Sequence, residues 1–221
     1  MSPNVKSAAP PPPTRRQRKL QTRRTLRDAA RRCLLERGFA GASIADIARE
    51  AGVAHGTFYV HFASKEAVLQ ELLQEFNEGL VSKLAPVFSI TADAPLQAAV
   101  GAIAEVFLDH WQAEAAFVRC YAGRSAGGVD LGDLYAGVNP PMVRALGVAL
   151  QAAAAHRGRQ LVHGDLAIQA LLALWLRVGL QHLFNDSVAR DDARDTLVTL
   201  TVGAVSALLE QAPVLPESDH A

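Results

Sequence analysis

One stretch of this chain constrains its fold more than any other. It runs from Ser43 to Phe62 and reads SIADIAREAGVAHGTFYVHF. Apolar residues recur at helical spacing up to Ala51, Gly52 interrupts the pattern, and a second short apolar face follows. Two short helices joined by a tight glycine turn form a helix-turn-helix.

Local signals mark the start and the end of the first of these helices. Ser43 and Asp46 fit the S-x-x-D pattern of a capping box, which satisfies free N–H groups at a helix start. Gly52 falls where the chain must reverse, and glycine adopts a left-handed conformation at low cost. The outward residues of the second helix, which are suited to a DNA groove and its flanking phosphates, are His55, Gly56, Tyr59, Val60 and His61.

The segment around this helix pair resembles a known family. From about Arg23 to Val68, with GFAGASIADIAREAGVAHGTFYVHFASKEAV at its centre, the chain is similar to the N-terminal DNA-binding domain of the TetR family of bacterial transcriptional regulators. The resemblance implies double-stranded operator DNA as a partner. It also implies DNA-binding roles, on the recognition helix or beside it, for Ser43, Thr57, Tyr59, His61 and Lys65. With the outward residues His55 and Gly56, these form the predicted DNA-binding set.

Two of these positions, and the nearby position 54, carry specific expectations from the resemblance. Ser43 is expected to cap its helix against a phosphate, and Lys65 is expected to open the fourth helix against the DNA backbone. Ala54 departs from the family pattern, which often has serine there, and alanine cannot cap a helix. Without a cap from residue 54, we expect the recognition helix to be frayed at its start, or capped by another group, until it contacts DNA.

The charge distribution also favours DNA as a partner. The net charge is zero, but residues 1–65 hold thirteen Lys or Arg and four Asp or Glu, so their net charge is +9 and the remainder carries −9. A cationic region beside a helix-turn-helix is suited to a polyanion. A charge run that is merely solvated is the alternative interpretation.

The composition is that of an ordinary globular protein, with 50% apolar and 20% charged residues. No run approaches about 18 uninterrupted apolar residues, and the proline-rich, basic N-terminus has no apolar core of its own. We therefore predict neither a membrane span nor a signal peptide, and a cytoplasmic location. Cys33 and Cys120 form no C-x-x-C pair, so two buried, reduced thiols are expected.

The chain divides into four predicted segments of an all-α protein. Residues 1–21, with four consecutive prolines and several cations, read as a disordered basic arm that either contacts phosphates or only improves solubility. Residues 22–68 form the helix-turn-helix domain, whose first helix runs from about Thr22 to Arg37 and stops at Gly38. Residues 69–212 form a helical body entered by a helix from Ser64 to Pro86, and residues 213–221 form a tail.

The body contains further predicted helices over residues 95–111, 113–122, 140–156, 165–184 and 191–209. The helix from Asp165 to Phe184 is apolar almost all round, which requires cover on two sides. The resemblance implies that it and the last helix form a homodimer. Helical spacing places Leu172, Gly179 and Leu183 on one face, and glycine there would let a partner helix come close. Two core helices of a monomer are the alternative.

A candidate site for a small-molecule effector lies on the middle helices, where large aromatic side chains concentrate. The predicted ligand-binding residues are Phe107, His110, Trp111, Phe117, Tyr121, Arg124, Trp175 and Arg177. Arg177 is either paired with a carboxylate of a neighbouring helix or available to an acidic ligand. Ordinary core packing is the alternative for each aromatic residue.

Other classes of function receive less support from the sequence. Residues 123–127 spell G-x-S-x-G, the serine hydrolase elbow, but no strand precedes them, so no enzyme activity is predicted. No cofactor is predicted, and no second His stands at i+4 to His110 or His182, so no metal site is predicted either. A DNA-binding protein without a small-molecule trigger remains a second possibility.

Overall fold

The computed structural model describes residues 14–90, 94–122, 140–155, 158, 159, 161 and 164–211. The chain splits into two compact units, Met1–Leu69 and Gln70–Ala221. Regular structure in the described ranges consists of α-helices, so the predicted all-α class is confirmed. Residues 1–13 of the predicted arm and the tail 213–221 lie outside the described residues.

The N-terminal unit contains helix α1 (Arg15–Gly41), helix α2 (Ile44–Glu50), helix α3 (His55–His61) and the first turn of helix α4 (Lys65–Ile90). The helix α1 packs on α2, and α2 packs on α3. The small core of this unit is fully apolar and includes Leu26, Ala29, Ala30, Cys33, Leu34, Ile47, Ala48 and Phe58.

The helix α1 begins earlier than the sequence analysis expected. It starts at Arg15 instead of Thr22, so the described part of the predicted arm is helical. Thr14 and Gln17 form a capping box, in which the Gln17 N–H donates to Thr14 Oγ1 at 3.2 Å and the Thr14 N–H donates to Gln17 Oε1 at 2.7 Å. This cap satisfies two free backbone groups, and the Arg, Gln, Lys and Leu residues that follow it are good helix formers.

The chain leaves the helical conformation at Gly38, as predicted. Gly38 has φ 69° and ψ 170°, in the left-handed half of backbone space that favours glycine. A short helical segment then continues to Gly41. The helix α4 departs from expectation because it continues through Pro86 to Ile90. A proline inside a helix removes one backbone donor, and here that loss does not end the helix.

The C-terminal unit contains the rest of α4 and five further helices. These are α5 (Leu96–Ala113), α6 (Ala115–Ala122), α7 (Pro140–Ala155), α8 (Gly164–Phe184) and α9 (Arg190–Gln211). Each helix from α5 to α9 begins within two residues of its predicted start. The helix α8 is central, because α5, α6, α7 and α9 all pack against it, and α9 also packs along α5.

Ion pairs tie α5 to α9. The Arg190 guanidinium lies 2.6 Å from a carboxylate oxygen of Glu105 and 2.6 Å from one of Asp109, and Arg194 lies 2.5 Å from Glu105. The hydrogen bond from Arg190, together with its charge and that of Arg194, lowers the pKa of Glu105. These half-exposed pairs fix the register of the two helices more than they stabilise the fold.

The helix α8 is apolar enough and long enough to cross a membrane by length and composition alone. Core helices of soluble proteins pass the same test. Its Gly179 lies inside the unit, because a Cβ there would meet Trp111 at 2.9 Å and Phe107 at 3.0 Å. Leu183 is also buried. The prediction that Gly179 and Leu183 form an external close-approach face was therefore wrong; they pack against their own unit.

Candidate functional site

The helix α2 begins at the predicted capping box. Ser43 Oγ accepts from the Asp46 N–H at 3.1 Å and donates to Asp46 Oδ2 at 2.6 Å, and the Ser43 N–H donates to the same oxygen at 3.2 Å. Arg37 and Arg49 also contact the Asp46 carboxylate. The hydrogen bonds from Ser43 and the charge of Arg37 hold the pKa of Asp46 well below its usual range. Asp46 therefore stays ionised and keeps the start of α2 fixed.

The turn between α2 and α3 depends on Gly52. Its φ of 67° lies in the left-handed region. The Gly52 N–H donates to the Arg49 carbonyl at 3.1 Å, and the Val53 N–H donates to the Ala48 carbonyl at 3.0 Å. The bond from Val53 to Ala48 is the 6→1 bond of a Schellman motif, which ends α2 and reverses the chain before α3.

The start of α3 has no side-chain cap from residue 54, as the sequence predicted. Ala54 occupies the cap position, and only its backbone carbonyl takes part, accepting from the Thr57 N–H at 2.8 Å. The helix is held from its other side by Phe58, which is fully buried and contacts the Phe62 ring at a centroid distance of 5.7 Å. Burial of Phe58 therefore holds α3 in place although no side chain caps its start.

The outward face of α3 is formed by His55, Gly56, Tyr59 and Val60, all of which are exposed. Tyr59 is 53% exposed and Val60 66% exposed. The rings of His55 and Tyr59 meet edge to face at a centroid distance of 5.6 Å. A Cβ built on Gly56 would meet nothing within 4 Å. The face is therefore open, and it carries an imidazole, a phenol and a branched apolar side chain side by side.

Two predicted DNA-binding residues of α3, Thr57 and His61, are half-buried. His61 Nδ1 is enclosed with no hydrogen-bond partner in the described part of the chain. Burial lowers the pKa of His61, and the nearby charges of Lys19 and Arg23 lower it further. Arg23 donates to the His61 carbonyl, and its guanidinium lies 4.1 Å from the centroid of the Phe62 ring. The neutral imidazole and α1 together close the C-terminal end of α3.

Lys65 occupies a position that the sequence did not reveal. Its ammonium group donates to the carbonyls of Phe39 and of Ala42, the latter at 2.8 Å, and lies 4.2 Å from the centroid of the Phe39 ring. These carbonyls follow the break at Gly38, where backbone acceptors lack helical donors. Lys65 thus fastens the start of α4 to the end of α1.

The body brings the predicted ligand-binding aromatics together in one cluster. Phe107 contacts Trp111 at a centroid distance of 4.9 Å and Trp175 at 5.2 Å. Phe117 contacts Tyr121 at 6.4 Å, and Phe76 of α4 contacts Phe117 at 5.9 Å and Trp111 at 6.1 Å. Phe76 is not among the residues predicted for the ligand site. Its part in this cluster follows from helix packing, which no local pattern reveals.

His110 lies at the contact between α4 and α5. Its Nε2 is 3.0 Å from the Phe76 carbonyl and its Nδ1 is 3.0 Å from Lys83 Nζ. An ammonium can only donate, so Nδ1 accepts from Lys83 and Nε2–H donates to Phe76. A Cβ at Gly79 would lie 3.2 Å from His110 Cε1, so the glycine gives the ring room. Burial, and then the charge of Lys83, lower the pKa of His110.

Arg177, which was predicted for the ligand site, does not join the aromatic cluster. Arg177 is exposed and lines a groove of about 340 Å³ between α8 and α9, together with Val178, Gln181, Ser187, Val188, Asp192, Ala193 and Thr196. Trp175 Nε1 donates to Thr201 Oγ1 of α9 at 2.9 Å. Arg124 and the G-x-S-x-G stretch lie outside the described residues. Within the described ranges, no three His, Cys, Asp or Glu side chains could together hold a metal ion.

Sequence comparison connects the N-terminal unit to known proteins. Residues 26–72 match the family model described as bacterial regulatory proteins, tetR family. Over 93 residues the chain is 34% identical to the HTH-type transcriptional repressor KstR2 of Mycobacterium tuberculosis, which covers 41% of this chain and 46% of that protein. The chain spans less than half the length of the curated relatives that it matches.

Structural comparison extends over most of the chain. A putative TetR-family regulator from Syntrophomonas wolfei has a TM-score of 0.68 at 13% identity, with 85% of this chain and 96% of that one covered. The flavonoid-responsive regulator FrrA has a TM-score of 0.61 at 26% identity, with 85% and 96% covered. These neighbours show the fold of the chain. Over residues 26–72, the segment that carries the helix-turn-helix, the chain matches the TetR family of bacterial transcriptional regulators.

Proposed function

We propose that this chain is a transcriptional repressor that binds a pseudo-palindromic DNA operator as a dimer and is released by a small, largely apolar molecule. The observation that carries the proposal is the open face of α3. Four adjacent exposed residues project from a short helix whose opposite side is anchored by the fully buried Phe58. This is the geometry of a recognition helix, which needs one face for the protein and one for a DNA groove.

The residues of the α3 face suit two kinds of DNA contact. His55 and Val60 can reach base edges, where an imidazole bonds to polar groups and a branched apolar side chain contacts a thymine methyl. The Tyr59 hydroxyl suits a phosphate oxygen, and the missing side chain of Gly56 lets the DNA backbone approach. Ser43 Oγ already donates its one hydrogen to Asp46, so Ser43 supports this face by fixing the start of α2. Lys65 supports this face indirectly, since its ammonium already binds two carbonyls.

Selection of bound duplexes from a random pool tests the DNA-binding function. We expect one preferred site with two half-sites in inverted repeat, whose centres lie about 34–36 Å apart or a multiple of that distance. Recovery of random duplexes alone would overturn the proposal of a sequence-specific operator. The genomic position of the recovered site would then point to the regulated genes.

The proposed dimer contact is the outer face of α8 and α9. Leu166 and Phe184 of α8 and Leu200 of α9 are large apolar residues that remain about half or more exposed. A Cβ at Gly203 of α9 would meet nothing within 4 Å, so a partner helix can approach there. Apolar residues spread over two neighbouring helices favour cover by a second copy. The groove that holds Arg177 lies between the same two helices.

The proposed trigger acts at the aromatic cluster of α5, α6 and α8. Trp111 is 1% exposed, and its indole N–H has no hydrogen-bond partner in the described part of the chain. A buried donor without a partner is costly, and a ligand acceptor could satisfy it. The names of two structural neighbours, FrrA as flavonoid-responsive and EbrR as a multidrug binding protein, also favour a flat, largely apolar effector.

A regulator without a small-molecule trigger is the second candidate, and close packing supports it. Phe107, Trp111, Phe117 and Tyr121 are each at most 5% exposed, so a ligand must displace side chains to enter. Aromatic compounds that quench tryptophan fluorescence and release labelled operator at the same concentrations would favour the sensor. A tenfold loss of operator affinity requires about 1.4 kcal/mol of differential binding. Quenching that never shifts DNA affinity would favour the trigger-free regulator.

A further inference from the structure

The inner stripe of α1 changes its chemistry along the helix. Positions 15, 19, 22, 26, 29 and 33 follow one another at spacings of four and three residues, so they lie on one face. Leu26, Ala29 and Cys33 bury this face in the N-terminal unit. Towards the N-terminus the same face carries Arg15 and Lys19, and both are exposed. The face that forms the core thus becomes a cationic face two turns earlier.

The charges of this segment are unfavourable for the helix that bears them. The N-terminus of a helix carries partial positive charge, so cations in the first turns are destabilising and acids are stabilising there. The first turn of α1 contains no acid, and the first acidic residue of the helix is Asp28. The Thr14–Gln17 capping box keeps this segment helical in spite of that repulsion. These cations therefore do not stabilise α1 itself, which favours a role in binding a partner.

The cationic segment lies beside the C-terminal end of α3. Arg23 donates to the His61 carbonyl and covers the Phe62 ring. Lys19, one turn earlier, lies close enough to the His61 imidazole that its charge lowers the pKa of that group, after the larger effect of burial. Lys19 and Arg15 precede Arg23 by about one and two helical turns. They therefore extend a positively charged surface away from the C-terminal end of the proposed recognition helix.

We propose that the first two turns of α1 form a second DNA-contacting surface, in which Arg15 and Lys19 bind phosphates that flank the groove occupied by α3. This inference rests on the proposed DNA-binding function. The face that contacts DNA is the one that carries Arg15 and Lys19. Its partner is the sugar-phosphate backbone that flanks the bases read by α3. Such contacts position the protein without reading sequence.

Salt dependence measures the number of phosphates that this surface neutralises. The probe is the duplex recovered by selection, extended by about one helical turn of ten base pairs on each side. The slope of log affinity against log salt should fall in magnitude by about 0.9 for each phosphate that is no longer neutralised. In a dimer, the double variant Arg15→Gln with Lys19→Gln should therefore lower the slope by the equivalent of up to about four phosphates.

Arg24 supplies a matched control on the other side of the same helix. It is exposed and stands five residues after Lys19, which places it about 140° away around α1. Arg24→Gln removes one charge just as Lys19→Gln does, but it should leave the slope nearly unchanged. Equal slopes for Arg24→Gln and Lys19→Gln would overturn the assignment of a specific face. They would show a general effect of positive charge.

A rotation of the segment tests the geometry without a change of charge. Insertion of one alanine after Gln21 turns the first two turns of α1 by about 100° relative to the rest of the helix. Arg15 and Lys19 then leave the inner face, Arg16 takes the position of Arg15, and Leu20 takes the position of Lys19. One cation of the two is lost from this face, so the slope should fall by about half as much as in the double variant. Thermal melting must show an unchanged fold for the comparison to count. An insertion variant that stays helical and keeps the wild-type slope would contradict the proposal.

The length of the duplex separates this inference from the proposed function. Trimming the flanking base pairs should reduce wild-type affinity and leave the affinity of the Arg15 and Lys19 double variant unchanged, since that variant no longer uses the flanks. If selection yields a site but trimming affects the wild type and the double variant equally, only the proposal of a second DNA-contacting surface is contradicted. If selection yields no preferred site, the proposed operator function fails first.

Discussion

The two units of this chain use aromatic side chains in opposite ways. Tyr59 of the N-terminal unit is 53% exposed on a helix held by the fully buried Phe58, whereas Tyr121 of the C-terminal unit is 4% exposed inside a cluster of rings. An exposed ring on an anchored helix is already placed for a partner. A buried ring becomes available only after the core rearranges. Under the proposed function, the first unit therefore binds its partner without rearrangement, and the second must move before it binds a ligand.

The units also differ in what they leave exposed. The N-terminal unit exposes cations and the polar face of α3, whereas α8 and α9 expose Leu166, Phe184 and Leu200. Cations suit a polyanion, and an apolar face suits a second protein surface. Each of the following predictions concerns a change in one unit. Its outcome either supports the different roles of the two units or contradicts them.

The largest effect is expected in the core of the C-terminal unit, at Gly179. Gly179→Leu should cost about 3 kcal/mol or more, because even a Cβ there would lie 2.9 Å from Trp111. Gly179→Ala should destabilise less, in the same direction. Gly56→Ala in α3, melted without DNA, is the control, since a Cβ there would meet nothing within 4 Å and alanine favours helix by up to about 1 kcal/mol. Thermal melting distinguishes them, and a Gly179→Leu protein as stable as wild type would contradict this packing.

The next effect concerns the apolar face of α9. Leu200→Asp places a charge on the proposed dimer contact and should give a monomer in sedimentation, with operator affinity reduced about 10²–10⁴-fold because the two half-sites no longer reinforce each other. Val148→Asp is the matched control, since Val148 is 70% exposed but lies on α7. A Leu200→Asp protein that stays dimeric, or a Val148→Asp protein that dissociates, would move the interface away from α9.

A smaller effect is expected at Lys65. Lys65→Ala leaves the carbonyls of Phe39 and Ala42 without their charged donor and should cost about 1–3 kcal/mol of stability. Lys65→Arg keeps a donor and should recover part of it. If Lys65 acted only through a phosphate, Lys65→Ala would melt as wild type does and lose DNA affinity alone. Melting curves and binding isotherms on the same samples decide between these roles.

The smallest effect is the pH dependence at His110. Burial and Lys83 lower its folded pKa, while Glu114 opposes them, so the unfolded state binds the proton more readily. Stability should therefore fall as pH drops below the ordinary histidine pKa of about 6.5. His110→Gln keeps a donor for Phe76 and an acceptor for Lys83 but cannot titrate. This variant should lose less stability between pH 7 and pH 5 than wild type; an identical loss would place the titration elsewhere.

The sequence predicted the N-terminal unit well because its signals are local. The Ser43 capping box, the left-handed Gly52 and the uncapped Ala54 each depend on residues within a few positions, and all three are confirmed. The start of α1 was misplaced although Thr14 and Gln17 spell a capping box, because prolines and cations dominated the interpretation. The contacts of Lys65 span 23 and 26 residues, which no local pattern reveals.

The C-terminal unit was predictable in its helices but not in their faces. The helix starts follow from caps, prolines and periodicity. The helix α8 is apolar almost all round, so periodicity could not show that Gly179 faces its own unit. The same limit applied to Arg177, which lies at a groove beside α9 instead of among the rings. Which helix covers which side depends on packing between distant segments.

The central claim is that the exposed face of α3 reads DNA sequence, and the ratio of two affinities tests it most directly. Affinity for the selected duplex is divided by affinity for a scrambled duplex of equal length at one salt concentration. His55→Ala should lower this ratio by about 5- to 150-fold, as expected for the removal of a base interaction worth about 1–3 kcal/mol. Tyr59→Ala should weaken binding to both duplexes alike and keep the ratio. If both variants keep the wild-type ratio and both wild-type affinities, α3 is not the element that reads DNA.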